Sequence, residues 1–440
     1  MNFMGDPAAK PTNVRFLIVI VTSLTAIFMY VDRGCIAQLK GVIGKDLDIS
    51  DQGMDWIMSA FFWSYALAQV PSGFVGSRFG MRKTLAIMLF SWSVCTAVCG
   101  LATGFAAMFA SRLAVGVTEA GAYPSAAAIV KGWFPISARG RANSFVALGG
   151  RLGFVLSQIL TPWIAGYPFF GWRGALILYG ILGMFWAFVF WWLVRDKAKL
   201  HPWSNQAEVD YAGTVPVASQ TSETWPVMAL LSSRNMWFFG LTQFGSNVGW
   251  AFLITNLPAM LENYLECDNP SDRGWIAAMP PAASCLGMFL GGFVGDWCVR
   301  RFGLLWGRRL PISLMLILAA LAYLTCIMIT SPMMAESRSM IRIQDAWLMG
   351  IVLACMAICQ DIGIPSVWAF SQDVGGKHVG ATLGFGNMIG NLGAAASPLL
   401  LGFVQRNYGY NNMFLMCAGF FLLASFCALN LNATKPVLDD

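Results

Sequence analysis

Six ionisable residues lie within or at the edge of long apolar runs: Asp32, Arg33, Arg112, Glu119, Arg151 and Asp361. A charge in such a setting is expensive to bury and usually marks an ion pair or a ligand site. Asp32 and Arg33 stand near the end of the first apolar run, and run length favours a helix that extends past Arg33. A planar guanidinium held there suits two-pronged carboxylate binding. The alternative is an interfacial pair that snorkels to water. Arg112 and Glu119 are seven residues apart, so two helical turns bring them to one face within about 20°. They are roughly 10.5 Å apart along the axis, too far to pair directly. That spacing leaves Glu119 free to take up a proton, unless the two form a structural charge pair with other partners.

Arg151 follows Gly149 and Gly150 and precedes Gly153, so its helix is able to cross close to a neighbour. As a second cation it suits a second carboxylate, a phosphate or a sugar-acid hydroxyl. Otherwise it is a partner for Asp32, Glu119 or Asp361. Gln360-Asp361 precede Pro365 and read as a structural charge partner. Tyr65 and Tyr123 offer hydroxyls, and Tyr123 lies four residues after Glu119, on its face. Asn387 and Asn391 share a face and suit sugar hydroxyls, with packing hydrogen bonds as the alternative. Trp250 and Trp368 are candidates to stack on a sugar ring.

Such residues need long apolar helices to position them, and the composition supplies those. Of 440 residues, 57% are hydrophobic and only 11% charged, with a mean hydropathy of +0.62. A soluble chain carries about 25% charged residues. The expected fold is all-α and integral to a membrane, with twelve helices near 15–38, 54–76, 83–103, 106–131, 140–165, 172–194, 235–261, 273–297, 310–331, 346–370, 379–404 and 411–432. A polar stretch at 195–234 divides the chain into an N-terminal bundle, 1–194, and a C-terminal bundle, 235–440. The larger share of Lys and Arg falls on the side holding both termini and this linker, which predicts cytoplasmic termini. The first run meets Asp32-Arg33 rather than a small-residue cleavage site, so it reads as a retained helix.

Several classes are excluded. The net charge of +6 is spread over short loops, so nucleic-acid binding is not expected. The eleven cysteines lie mostly inside apolar runs, and the only histidines, His201 and His378, fall in loops. Neither a disulfide framework nor a metal or cofactor site is expected, and no catalytic triad is legible.

The two halves echo each other. Gly73-Phe74-Val75-Gly76 returns as Gly292-Phe293-Val294-Gly295, and Gly150-Arg151-Leu152-Gly153 as Gly390-Asn391-Leu392-Gly393. Internal repeats of this kind mark many secondary transporters. Spans, linker and repeat together resemble the major facilitator superfamily. The segment Gly73 to Lys83, with Arg78, Gly80 and Arg82, is similar to that superfamily's gating motif, although Ser77 stands at its acidic position. The C-terminal copy keeps an acid as Asp296, followed by Arg300. The resemblance implies a latch that joins the halves in the outward-open state; Ser77 puts its N-terminal part in question.

Tyr30-Val31-Asp32-Arg33, Arg112 with Glu119-Ala120-Gly121-Ala122-Tyr123-Pro124, Asn256-Leu257-Pro258, and Gly390 to Pro398 resemble the anion:cation symporter branch, which contains hexuronate, galactonate and phthalate permeases and sialin. That resemblance implies a carboxylate clamp at Arg33 and proton coupling at Glu119 tuned by Arg112, with Asp32 a further proton-handling candidate. The expected protein is a multi-pass, monomeric transporter of the inner (plasma) membrane that takes a small organic anion with protons. The alternatives are a neutral-sugar or drug facilitator, and a transporter-like receptor or scaffold.

Overall fold

The computed structural model describes residues 10–212, 227–267, 269–330, 342–375 and 379–437, leaving aside the side chains at 70, 73–78, 136–141, 227, 342–343 and 379–381. The described residues are mostly helical, without strands among them. In order they form α1 Val14–Asp46, α2 Asp51–Phe79, α3 Met81–Cys99, α4 Phe105–Glu119, α5 Ala122–Trp133, α6 Ile136–Ala165 and α7 Gly171–Leu193. The short helices α8 Gln206–Ala212 and α9 Val227–Ser232 follow, then α10 Arg234–Thr255, α11 Leu257–Asn263, α12 Pro270–Thr330, α13 Arg342–Gly375 and α14 Val379–Leu429. Among the described residues, seven helical segments are long and apolar enough to cross a membrane, α4 and α5 together counting as one.

The differences from the expected spans have local causes. Helix α1 runs on to Asp46, eight residues past the expected end; the segment after Arg33 holds no proline, and Gly34, Gly41 and Gly44 do not interrupt it. The expected helix 106–131 is split into α4 and α5 around Ala120-Gly121. Pro124 lacks an N–H, and its ring disfavours helical continuation past the carbonyl four residues earlier, that of Ala120. Pro258 does the same at the α10–α11 junction, where the break falls at Asn256. The elements α12 and α14 each span two expected helices. Each is interrupted by a glycine of positive φ, Gly303 at 73° and Gly409 at 82°, a backbone conformation other residues rarely adopt.

Small residues set the packing, as expected where lipid offers no hydrophobic drive between helices. In α6, a Cβ at Gly149 or Gly153 would strike the α1 backbone at Ser23 and Ile27. In the repeat, Gly393, the equivalent of Gly153, sits as tightly against the α10 backbone at Phe244, while Gly390, the equivalent of Gly150, lies against the side chains of Asn247 and Gln243. The sequence echo is therefore a packing echo. Buried apolar side chains form two clusters, one drawn mainly from α1–α8 and the other from α9 to α14 and the segment just after it. Large apolar residues such as Phe185, Phe188 and Trp192 on α7 face outward, as a lipid-contacting helix requires.

Contacts between these groups gather at the end opposite the linker. Helix α2 packs on α14 and α6 on α12. Asp55 takes Lys40 Nζ at 2.7 Å and also the guanidinium of Arg406, from the other half of the chain. The Ser59 hydroxyl donates to the Ala395 carbonyl, and Gly274 lies against the Gln158 carbonyl. At the linker end, Arg15 binds Glu208 at 2.6 Å and ties the start of α1 to α8.

Candidate functional site

Arg33 projects from the middle of α1, with 5% of its surface exposed, and Glu119 is the last residue of α4, with none. The Arg33 Nε–H donates to Glu119 Oε1. The guanidinium carbon lies 4.9 Å from the Tyr30 ring centre, 5.0 Å from Phe61 and 4.6 Å from Tyr65. Aromatic faces favour a cation on their axis, so three rings orient the arginine. Glu119 is met through Nε alone. Arg33 Nη2 and Glu119 Oε2 are buried without hydrogen-bond partners. Glu119 is thus not the isolated carboxylate that the in-helix spacing suggested. Its partner comes from another helix.

Asp32, one residue earlier and so about 100° around α1, is turned toward a different group. It is buried near Arg112 and Glu119 and beside Thr96 and Trp92 of α3. Arg112 lies 4.8 Å from the Phe61 ring, so Phe61 contacts both arginines. The Arg112 Nε is buried and unpartnered.

Arg151 reaches across to the other half of the chain. Its Nη2 donates to Asp361 Oδ1 of α13 at 3.0 Å and stands 2.8 Å from Oδ2, and its guanidinium lies 5.6 Å from the Trp250 ring of α10. Tyr30 and Tyr123 meet edge to face with centres 6.4 Å apart. Both press on Gly150, where a Cβ would come within 2.8 Å of each ring system. The glycine lets the tyrosine pair sit directly beside Arg151.

Asn387 and Asn391 lie apart from these contacts. Gln243 Nε2 reaches Asn387 Oδ1 at 3.5 Å, and the Asn391 amide donates to the main-chain oxygen of Asn387 at 2.8 Å. With Asn247, near Gly390, and with Gln360 donating to the Ser246 hydroxyl at 3.2 Å, they make an amide-rich face of the C-terminal half. Trp368 packs against the C-terminal core rather than in the contacts around Arg151.

Among the gating residues, the side chains of Gly73 and Arg78, with Ser77, lie outside the described residues. Gly80 precedes α3 with φ of 90°. The Arg82 amide donates to Asp196 Oδ1 at 2.7 Å, and its guanidinium lies 4.0 Å from the Trp191 ring. Asp196, at the start of the linker, therefore brings an acid to the segment where Ser77 lacks one. Asp296 and Arg300 are exposed on α12.

Sequence reasoning passed over Tyr30, Phe61, Asp196 and the Lys40–Asp55–Arg406 cluster. Tyr30 was findable, because it stands three residues before Arg33 on the same helical face. The others depend on contacts between distant segments.

Comparison with known proteins agrees with this architecture. The model of the Major Facilitator Superfamily matches residues 22–398. The Bacillus subtilis protein named "Probable galactarate/D-glucarate transporter GudP" is 28% identical over 432 residues, covering 94% of this chain and 90% of its own. The D-galactonate transporter of Escherichia coli O6:H1 is 29% identical, with 92% of each chain covered. A crystal structure of a bacterial homolog to the human lysosomal transporter Spinster, inward-facing and unoccupied, superposes with a TM-score of 0.71 at 19% identity, covering 95% of this chain and 98% of that one. The chain is a multi-pass integral membrane protein and belongs to the Major Facilitator Superfamily.

Proposed function

We propose that this protein is a proton-coupled symporter of sugar acids that works by alternating access. Twelve spans form two six-helix halves, 1–194 and 235–440, joined by the 195–234 linker, with both termini in the cytoplasm. The loop charge bias and the glycine breaks at Gly303 and Gly409 support that layout. With the linker inside, the Asp55 cluster closes the outer end, so the conformation described faces the cytoplasm. The exposed Asp296 and Arg300 fit this reading, since the latch they resemble belongs to the opposite state. The protein transports as a monomer and carries out no catalysis of its own.

The buried Arg33–Glu119 pair is the observation that carries the proposal. A substrate carboxylate can take both edges of the Arg33 fork only if Glu119 lets go. A released carboxylate in a dry site is costly unless it takes a proton. Anion and proton therefore enter together, and Arg112 and Asp32 balance the neighbouring charge. Tyr65, Tyr123, Trp250 and Arg151 line the site, while Asn387 and Asn391 offer amides to hydroxyls. The named relatives include transporters of both sugar diacids and sugar monoacids.

Proteoliposomes test the proposal. A pH gradient with the acid side outside should drive accumulation of radiolabelled galactarate or galactonate, and a protonophore should abolish it. Uptake of a neutral hexose with neither acid taken up would overturn the reading.

A further inference from the structure

We propose that Arg151 and Asp361 form a second anion subsite, that the preferred substrate is a sugar diacid, and that Asp361 carries a second proton. This rests on the sugar-acid reading above and narrows it. Asp361 is 1% exposed, and Arg151, from the other half of the chain, is 9% exposed. The pair repeats the design of Arg33 and Glu119. Each arginine belongs to the N-terminal half, each engages one buried carboxylate, and neither guanidinium meets its acid fork to fork. Arg151 Nη2 alone serves Asp361, and Asp361 Oδ2 makes no hydrogen bond of acceptable angle despite lying close. The Tyr30–Tyr123 pair adjoins both arginines: Tyr30 lies 4.9 Å from the Arg33 guanidinium, and both tyrosines press on Gly150, the residue before Arg151. Two cations that share a pair of tyrosines suit a ligand with an acid at each end and hydroxyls between. Trp250, beneath Arg151, offers a flat face to its carbon chain.

Charge balance supplies the stoichiometry. The buried network holds three cations, Arg33, Arg112 and Arg151, and three acids, Asp32, Glu119 and Asp361. An uncompensated charge in such a site is heavily penalised. A dianion that displaces Glu119 from Arg33 and Asp361 from Arg151 leaves two free carboxylates. Each takes one proton from the aqueous entrance, so the loaded site stays neutral. Asp361 lies on α13 and Arg151 on α6, so breaking their pair also frees a contact between the halves. A monoacid at Arg33 would leave that contact closed and carry one proton.

The test uses the full-length protein in proteoliposomes, with galactarate as the diacid and galactonate as the monoacid. The proton-to-substrate ratio is read from the membrane potential and pH gradient at which net flux reverses. The parent should prefer the diacid, carry it electroneutrally with two protons, and lose the second proton in Asp361→Asn. Arg151→Gln alone could strand a buried acid, so the double variant Arg151→Gln with Asp361→Asn is made as well. In it the ratio of diacid to monoacid uptake should fall by about tenfold or more, the loss expected for one charge-assisted contact. A parent that prefers the monoacid, or one that moves the diacid with a single proton, overturns the second subsite and leaves the sugar-acid reading standing. Failure to accumulate either acid, with a reference transporter active in the same vesicles, removes both.

Discussion

The Arg33 guanidinium of α1 donates through Nε to Glu119 Oε1, at the last residue of α4, and leaves its Nη2 buried and unengaged. The cation is thus held by an acid and three rings yet keeps donors in reserve. A carboxylate arriving from outside the protein competes with Glu119 for the same fork.

Replacing Arg33 by Lys should keep a positive charge beside Glu119, so membrane insertion and yield should be close to the parent. Truncation to Ala would instead strand a buried acid, at about 3–5 kcal/mol. The lysine is a point charge and cannot bind a carboxylate through two parallel bonds. Substrate affinity should fall by about tenfold or more. Titration of the purified variant by calorimetry checks this, and near-parental affinity would remove Arg33 from the clamp.

Asp55 is 1% exposed and is shared by Lys40 and Arg406 at the end opposite the linker. Asp55→Asn should loosen the contact between α2 and α14 and raise the population opened at that end. A cysteine at Ala395, on a variant lacking exposed native thiols, should react with a maleimide roughly tenfold faster, the scale set by about 1.4 kcal/mol. An unchanged labelling rate would mean that the cluster does not hold that end shut.

His201, in the linker, has Nε2 at 3.0 Å from the Leu193 carbonyl and Nδ1 accepting from the Trp203 amide at 3.2 Å. Burial pushes its pKa below the ordinary value, helped by the nearby Arg195 and opposed by the Leu193 contact. The neutral ring fits both bonds, whereas a second proton on Nδ1 would break the one from Trp203. The stability it contributes is therefore complete above about pH 6.5 and is lost as pH falls through the lower folded value. Melting temperatures from pH 8 to pH 5 should fall more steeply for the parent than for His201→Gln. Parallel curves would show that the ring does not titrate in this range.

Much of the architecture was legible because its causes are local. Apolar length located most of the helices, and the glycines around Arg151 marked a close crossing of its helix on a neighbour, which the structure shows to be α1. The breaks near Pro124 and Pro258 were missed, because the expected spans 106–131 and 235–261 ran through both prolines. Pairing was much less legible. The seven-residue interval between Arg112 and Glu119 showed that they do not meet directly, but it could not show that α1 inserts Arg33 beside Glu119. Arg151 and Asp361 are 210 positions apart, and Asp361 was only one of three partners considered for Arg151. Asp196 brings an acid to the Gly80–Arg82 turn from just past the end of α7, which packs on α3, although it lies 114 positions from Arg82 in the chain. Such contacts depend on how the helices cross, which a one-dimensional pattern does not record.

The central claim is that Glu119 exchanges Arg33 for a proton when substrate binds. Glu119→Gln in proteoliposomes tests it most directly, by comparing substrate counterflow with accumulation driven by a pH gradient. Glutamine leaves Arg33 open to the anion but has no proton to release. Counterflow should persist, while gradient-driven accumulation should fall to simple equilibration. Accumulation at the parental level under the same gradient would contradict the account and leave Glu119 a structural partner of Arg33.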